Sequence, residues 1–308
     1  MTFRHFTRRS FIGGAGVAAC LAASRLNAAP AADRVVLLGT KGGPSPSATR
    51  AEASVLIVAG GRPYLVDCPN GVAGQLARAG VRLTELGQIF ITHDHSDHVI
   101  DASTLAVLAW DSGLDHRLTF HGPPPLGSII DNGLAASRFD VEARRREEGR
   151  PVLRPLIQVQ EQRAGGLVFR DQRVRVTAAL VDHYTVKPAL AYRFDTATRS
   201  IVISGDTTYS ENLVRLAQGA DLLIHEAMYL PAIGQLVGEN APRLREHLLR
   251  SHSTTEQVGL VAARAGVKKL VLSHLVPGFP TITDEMWLDG VRKHFHGQAV
   301  VGRDLMEV

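Results

Sequence analysis

Seven consecutive residues, Thr92-His93-Asp94-His95-Ser96-Asp97-His98, gather three imidazoles and two carboxylates, a density of donors that belongs to metal-ligand chemistry. Gln88 to Ile91 before them is a short apolar run that reads as a buried strand, and the apolar positions of Ile100 to Trp110 after them suit a helix. The donors therefore sit on a strand-to-helix loop. In extended chain, side chains at i and i+2 share a face. His93 and His95 can thus grip one metal while the turn into the helix swings Asp97 and His98 towards a second. Neutral imidazoles with a carboxylate oxygen suit zinc, and iron or manganese are acceptable on ligand type. The competing reading, a merely solvated His-rich loop, gives no reason for so many donors at one strand end.

Further ligand-type residues recur at strand ends. Val181-Asp182-His183-Tyr184 follows a strand at Val174 to Leu180, where a loop ligand is expected. Ser204-Gly205-Asp206-Thr207 follows Ile201 to Ile203 and precedes a helix at Glu211 to Gln218. A carboxylate there can bridge two cations; its rival role is a helix cap, for which Ser210 is better placed. His225-Glu226-Ala227 ends the strand Asp221 to Ile224, Ser251-His252-Ser253-Thr254 opens the helix Thr255 to Ala265, and Ser273-His274 ends the strand Leu270 to Leu272. Asp67 either supports the His loop from behind or simply forms a turn. Cys68 reads as a small buried hydrophobe. His225 reads as packing, His116, His247, His294 and His296 as surface residues, and His121 as able to reach a cleft but without a partner.

The elements that must position these groups alternate strand and helix. Arg34 to Leu38 opens the series, followed by a hairpin of Ser54 to Val58 and Pro63 to Val66 joined at Gly60-Gly61, and a helix at Val72 to Ala79. Arg117 to His121 is a strand and Leu126 to Ala136 a helix. Asp140 to Arg150, with Arg144, Arg145 and Arg146 interleaved with acids, is a surface helix before it is a phosphate-binding patch. Strands follow at Leu153 to Val159, Leu167 to Phe169 and Ala189 to Phe194. No linker divides residues 32–308, so one α/β domain is expected there.

Residues 1–31 stand apart. Thr7-Arg8-Arg9-Ser10-Phe11-Ile12, followed by the weakly apolar Gly13 to Ala23, resembles a twin-arginine export signal, with Ala29-Pro30-Ala31 as its cleavage site. The expected partner is the twin-arginine export machinery, and the expected product periplasmic or secreted. Val17-Ala18-Ala19-Cys20 also fits a lipoprotein box, which makes a lipid anchor at Cys20 the lesser reading. The apolar run is too short for a stable membrane span. The four arginines of this segment are the whole excess of 34 bases over 30 acids, so the remainder is neutral. That balance argues against a nucleic-acid partner. Only Cys68 lies beyond the segment, so no intrachain disulfide is expected.

Taken in order, His93-x-His95-x-Asp97-His98, His183, Ser204-Gly205-Asp206-Thr207, His225-Glu226-Ala227, Ser251-His252-Ser253-Thr254 and Ser273-His274 resemble the metallo-β-lactamase superfamily. Within it they are similar to the branch of ribonuclease Z and some bacterial arylsulfatases. The resemblance runs from Leu38-Gly39-Thr40 to Val301-Gly302-Arg303-Asp304-Leu305. It implies an α/β fold: a four-layer αβ/βα sandwich of two mixed β-sheets with a binuclear metal site at one edge. It also implies two Zn2+, the first on His93, His95 and His183, the second on Asp97, His98 and His274, with Asp206 between them. Hydrolysis would then use a metal-bound hydroxide, oriented by Asp97, with Glu226 and His252 as the general-acid pair for the leaving group.

One departure shapes the expectation. Ribonuclease Z enzymes commonly carry a basic arm between the third His and the bridging Asp, but here only 22 residues separate His183 from Asp206. Together with the neutral balance and the export signal, this points to a small-molecule ester substrate, a phosphodiester or aryl sulfate, and to no nucleic acid. A lactonase or β-lactam hydrolase on the same metals is the closest alternative. A non-catalytic binding protein that kept the fold is the alternative of another class. A homodimer is expected only by analogy with similar superfamily members.

Overall fold

The computed structural model describes residues 33–237 and 241–308; the expected export signal, its cleavage site and Cys20 lie outside them. The apolar runs pair into two seven-stranded sheets. The first contains β1 (Arg34–Gly39), β2 (Ser54–Ala59), β3 (Arg62–Val66), β4 (Gln88–Phe90), β5 (Leu118–Gly122) and β6 (Ile157–Glu161). The second contains β7 (Gly166–Arg170), β8 (Val174–Val181), β9 (Ala189–Thr196), β10 (Ser200–Ile203), β11 (Leu222–Met228), β12 (Lys269–Val276) and β13 (Gln298–Val301). The last strand, β14 (Met306–Glu307), returns to the edge of the first sheet beside β1.

The two sheets are built alike. In each, an antiparallel half (β14 to β3, and β7 to β10) continues into a parallel half (β3 to β6, and β10 to β13). Strands such as β2 and β11 are buried on both faces, which explains why they read as continuous apolar runs. Between the sheets, Val35, Leu37, Ile57, Tyr64 and Phe90 pack against Tyr192, Phe194, Ile224 and Val271. The outer face of the first sheet is covered by the helices Val72–Arg78, Ala102–Asp111 and Leu126–Ala136. The outer face of the second is covered by Glu211–Leu216, Thr255–Ala265 and Asp284–Arg292. This is the expected four-layer sandwich with two mixed sheets.

Three boundaries differ from expectation for identifiable reasons. Arg154–Leu156, with Pro155 inside it, forms a single 3-10 turn, so β6 begins at Ile157 rather than Leu153. β11 and β12 run through His225-Glu226 and Ser273-His274 instead of stopping before them, because their parallel pairing continues past a register shift. The charged stretch after Met228 is also helical, over Ile233–Val237 and Pro242–Ser251. The Asp140–Arg150 stretch is a surface helix, Arg138–Glu148, in which Arg144 pairs with Asp111, Asp140 and Glu148.

Candidate metal centre

Parallel strands end on a common edge, and the loops leaving that edge carry the ligand-type residues. The turn after β4 delivers His93, His95, Asp97 and His98, with Asp97 and His98 inside the short helix Ser96–Val99. The turn after β8 brings His183, and the one after β10 brings Asp206. Gly205 makes that last turn possible. Its φ is 58°, and a Cβ there would lie 2.6 Å from the Leu190 carbonyl oxygen. His274 arrives differently. It is the extra residue where β12 slips register against β11, between the pairs Glu226–Ser273 and Ala227–Leu275, and its φ is 41°. A bulge re-aims a side chain out of the alternation of its strand, which here turns the imidazole towards the strand-end loops.

All seven expected ligands converge. His93 Nε2 and His183 Nε2 lie 3.1 and 3.0 Å from His95 Nδ1, forming one cluster. His98 Nε2 lies 3.3 Å from His274 Nε2, which is itself 3.3 Å from Asp97 Oδ2, forming the second. Asp206 Oδ2 stands between them, 3.2 Å from His274 Nε2, 3.4 Å from His98 Nε2 and 3.9 Å from His93 Nε2. A tetrahedral ion with bonds near 2.0–2.1 Å to nitrogen separates its ligand atoms by roughly 3.3 Å, so these spacings fit two ions side by side. The donor chemistry fits as well. Asp206 Oδ1 and His274 Nδ1 are buried without a hydrogen-bond partner, and three imidazoles nearly closed to water have their nitrogens facing one another.

The charge states suit cations. Burial holds His93 well below the ordinary imidazole value and His183 down at about 3, so both are neutral donors. Burial would raise the Asp97 and Asp206 carboxyls, but the surrounding imidazoles overcome it and keep both ionised. His98 behaves in the opposite sense: burial lowers it, yet the carboxylates of Asp206, Asp67 and Asp97 raise it well above its ordinary value.

The residues behind the ligands set their orientation. Asp67 takes both roles between which its sequence context left the choice open. Its φ of 66° makes a turn, and its carboxylate accepts from Thr92 N at 2.8 Å and Thr92 Oγ1 at 3.0 Å while facing His98 Nδ1 at 2.9 Å. That contact turns His98 Nε2 to the centre. His183 Nδ1 donates to the Ser251 carbonyl at 2.9 Å and so presents Nε2 in the same way. Ser210 caps the helix Glu211–Leu216, which leaves Asp206 free of the capping role.

Beside the second cluster, Glu226 and His252 form the expected pair. Glu226 Oε1 accepts from Ser253 N and Thr207 N at 2.9 and 3.2 Å and lies 3.3 Å from His252 Nδ1. That separation is close enough for charge pairing, although its alignment misses hydrogen-bond geometry. Burial pulls the His252 imidazole down, but Glu226, then Asp206 and Asp97, push it up to about 9. A cleft of about 580 Å³ opens above these residues.

Other histidines divide as follows. His121 does not line this cleft; it is buried between the sheets, stacked on Phe90 and bonded to Gln88 Oε1 at 2.8 Å. His225 is fully buried and faces the Glu226 carbonyl at 2.7 Å. His294 and His296 are exposed. His247 was expected at the surface and instead lines the cleft, its ring centre 5.9 Å from that of His95. Cys68 is buried, and burial raises its thiol well above the ordinary value. Among the described residues no helix is long and apolar enough to cross a membrane.

The family model described as a β-lactamase superfamily domain matches residues 62–275, which carry the whole donor set. The chain belongs to the metallo-β-lactamase superfamily. The expected enzyme class, a metal-dependent hydrolase acting on ester bonds, is borne out with it. A ribonuclease Z of Mycolicibacterium gilvum (strain PYR-GCK) is 34% identical over 277 residues, spanning 89% of this chain and 95% of that protein. Among solved structures, the metallo-β-lactamase fold protein YhfI from Bacillus subtilis superposes with a TM-score of 0.67 at 20% identity, covering 90% of this chain and 98% of that one. Human tRNase Z, short form, superposes with a TM-score of 0.66 at 23% identity over the same shares.

These relatives overturn the expectation that no nucleic acid is involved. A relative 34% identical over 95% of its own length bears the name of a nuclease. The inference from charge fails for a physical reason: a balanced total does not bear on the metal donors, and the same donors serve large and small esters alike.

Proposed function

We propose that this metallo-β-lactamase superfamily member hydrolyses phosphodiesters, with RNA the first natural substrate to test because its relatives are named ribonuclease Z. One observation carries the reading: His252, paired with Glu226, has a ring nitrogen within 4.8 Å of ligand atoms of both Asp206 and His274. A proton donor at that distance from a metal centre suits departure of an alkoxide or phenoxide. In this reading His93, His95 and His183 would hold one cation, Asp97, His98 and His274 the other, with Asp206 shared. Bound there, the two cations would supply a nucleophile at neutral pH and neutralise charge developing on the ester. The donor set suits zinc, iron and manganese alike.

The chain's own residues do the rest. Asp67 and the Ser251 carbonyl orient the imidazoles of His98 and His183. Glu226 holds the His252 imidazole protonated, and His252 gives that proton to the leaving oxygen. We also propose that residues 1–31 direct export by the twin-arginine route, which supports a periplasmic or secreted site of action.

The test offers metal-loaded protein a precursor tRNA, aryl phosphodiesters, aryl sulfates, lactones and β-lactams. Turnover of phosphodiesters above the rest is expected. Preference for lactones or β-lactams would overturn the reading, and silence on every substrate with two metals bound would make this a binding protein.

A further inference from the structure

The helix Pro242–Ser251 places Leu244, His247, Leu248 and Ser251 at i, i+3, i+4 and i+7, which is one face. Leu244, His247 and Leu248 line the cleft above the metal centre together with Pro44, Phe279 and Pro280. Two contacts hold the helix in register with the centre. Ser251 gives its carbonyl to His183 at 2.9 Å, and the Arg250 guanidinium lies 4.0 Å above the Tyr184 ring. His247 is thereby fixed with its ring centre 5.9 Å from His95 and 6.3 Å from both His183 and His252, yet it belongs to neither ligand cluster. Its Nδ1 faces Ser251 Oγ at 3.3 Å; when that hydroxyl donates, the ring proton is on Nε2. Leu244 is 44% exposed and Leu236 41%, and both lie on the lining of this cleft, so its wall offers apolar surface open to an occupant. Among the described residues lining the cleft, Lys41 is the one Lys or Arg, and its ammonium is already committed to the Gly42 and Gly43 carbonyls.

From this arrangement we infer that the helix Pro242–Ser251 is the substrate-recognition wall. His247 donates a hydrogen bond to a non-bridging oxygen of the ester, and Leu244 and Leu248 cover a planar, ring-bearing group attached to it. The inference rests on the phosphodiester reading and deepens it. With one committed cation in the cleft, the group retained beside the scissile bond is recognised by apolar contact rather than by charge. An aryl ring and a nucleobase share that chemistry.

Three 4-nitrophenyl phosphodiesters with one leaving group separate the sources: the second ester group is phenyl, uridine-5′ or methyl. The phenyl or the uridine ester should exceed the methyl ester by about tenfold or more in kcat/KM, and the better of the two identifies the ring. Leu244→Asn should shrink that preference through KM. His247→Ala should cost about ten- to a hundredfold on all three, mostly in KM, with two metals bound, while His247→Gln restores part of the loss by keeping a donor. A methyl ester handled as well as the ring esters, or an unchanged KM in His247→Ala, would overturn the proposal. If the loaded protein cleaves no phosphodiester at all, calorimetric binding of diphenyl phosphate decides separately. Binding weakened by Leu244→Asn upholds the wall while the hydrolysis reading falls, and no binding sinks both.

Discussion

Replacing His252 by alanine removes the imidazole that Glu226 holds beside the metal centre and pushes above its ordinary value. Its environment sets the size of the effect. The residue is 5% exposed, its Nδ1 is 3.3 Å from Glu226 Oε1 and 3.9 Å from Asp206 Oδ2, and its pKa is pushed up to about 9. Loss of a positioned acid costs ~10²- to 10⁴-fold, or about 3–5 kcal/mol of barrier. That penalty falls on alkoxide leaving groups, whereas nitrophenolate departs without a proton and should lose little. The assay is therefore a series of esters of graded leaving-group acidity, with metal content measured by elemental analysis on each preparation. The sign of the pH dependence follows from the raised value. The acid form exists below about 9, so turnover of poor leaving groups should fall as pH rises through it. Bound cations repel an imidazolium, so the limb lies at or below 9, and Glu226→Gln should move it further towards acid. Equal losses for good and poor leaving groups with both metals retained would refute the proton-donor role and leave His252 as a substrate-positioning residue.

Three further outcomes are expected. Asp206→Ala should lose both metals or nearly so, while His274→Ala, which touches one cluster, should keep one equivalent; elemental analysis reads both, and two equivalents in Asp206→Ala would remove the bridging role. Asp67→Ala should weaken metal affinity ~10- to 100-fold with every ligand still present, because it frees His98 Nδ1 and the Thr92 backbone; competition with a chelator measures this, and unchanged affinity would confine Asp67 to its turn. Gly205→Ala should destabilise the fold by about 1–3 kcal/mol, since φ 58° and the Leu190 carbonyl both resist a Cβ; an unaltered denaturant midpoint would contradict that.

The metal centre was legible because its ligands are local in sequence or stand at strand ends. His93 to His98 announce themselves, and Asp206 follows a run too apolar to be anything but a buried strand. His274 was placed by resemblance, yet the bulge that aims it has no sequence signal of its own, since it exists only as a mismatch between β11 and β12. The likeness of the two sheets was equally hidden. Buried strands require apolar side chains and little else, so two copies of one topology need share no pattern of residues.

Two of the expectations overturned above rest at least in part on averages. The expectation of no nucleic acid rests on the short His183–Asp206 connection, the neutral total and the export signal, and none of the three bears on whether the metal donors can act on an RNA phosphodiester. His247 was assigned to the surface by its neighbours Arg245, Glu246 and Arg250, which do face solvent, although the opposite side of the same helix carries Leu244, Leu248 and Ser251. The spacing of those three residues, running straight into His252, was the available signal. A helix that ends on a paired histidine beside a metal centre must lay some face along the approach to it, and the residues of that face recur every third or fourth position whatever the composition between them. Selectivity should therefore follow changes at positions 244, 247 and 248, and it should be indifferent to charge reversal at Arg245 and Glu246 on the solvent side.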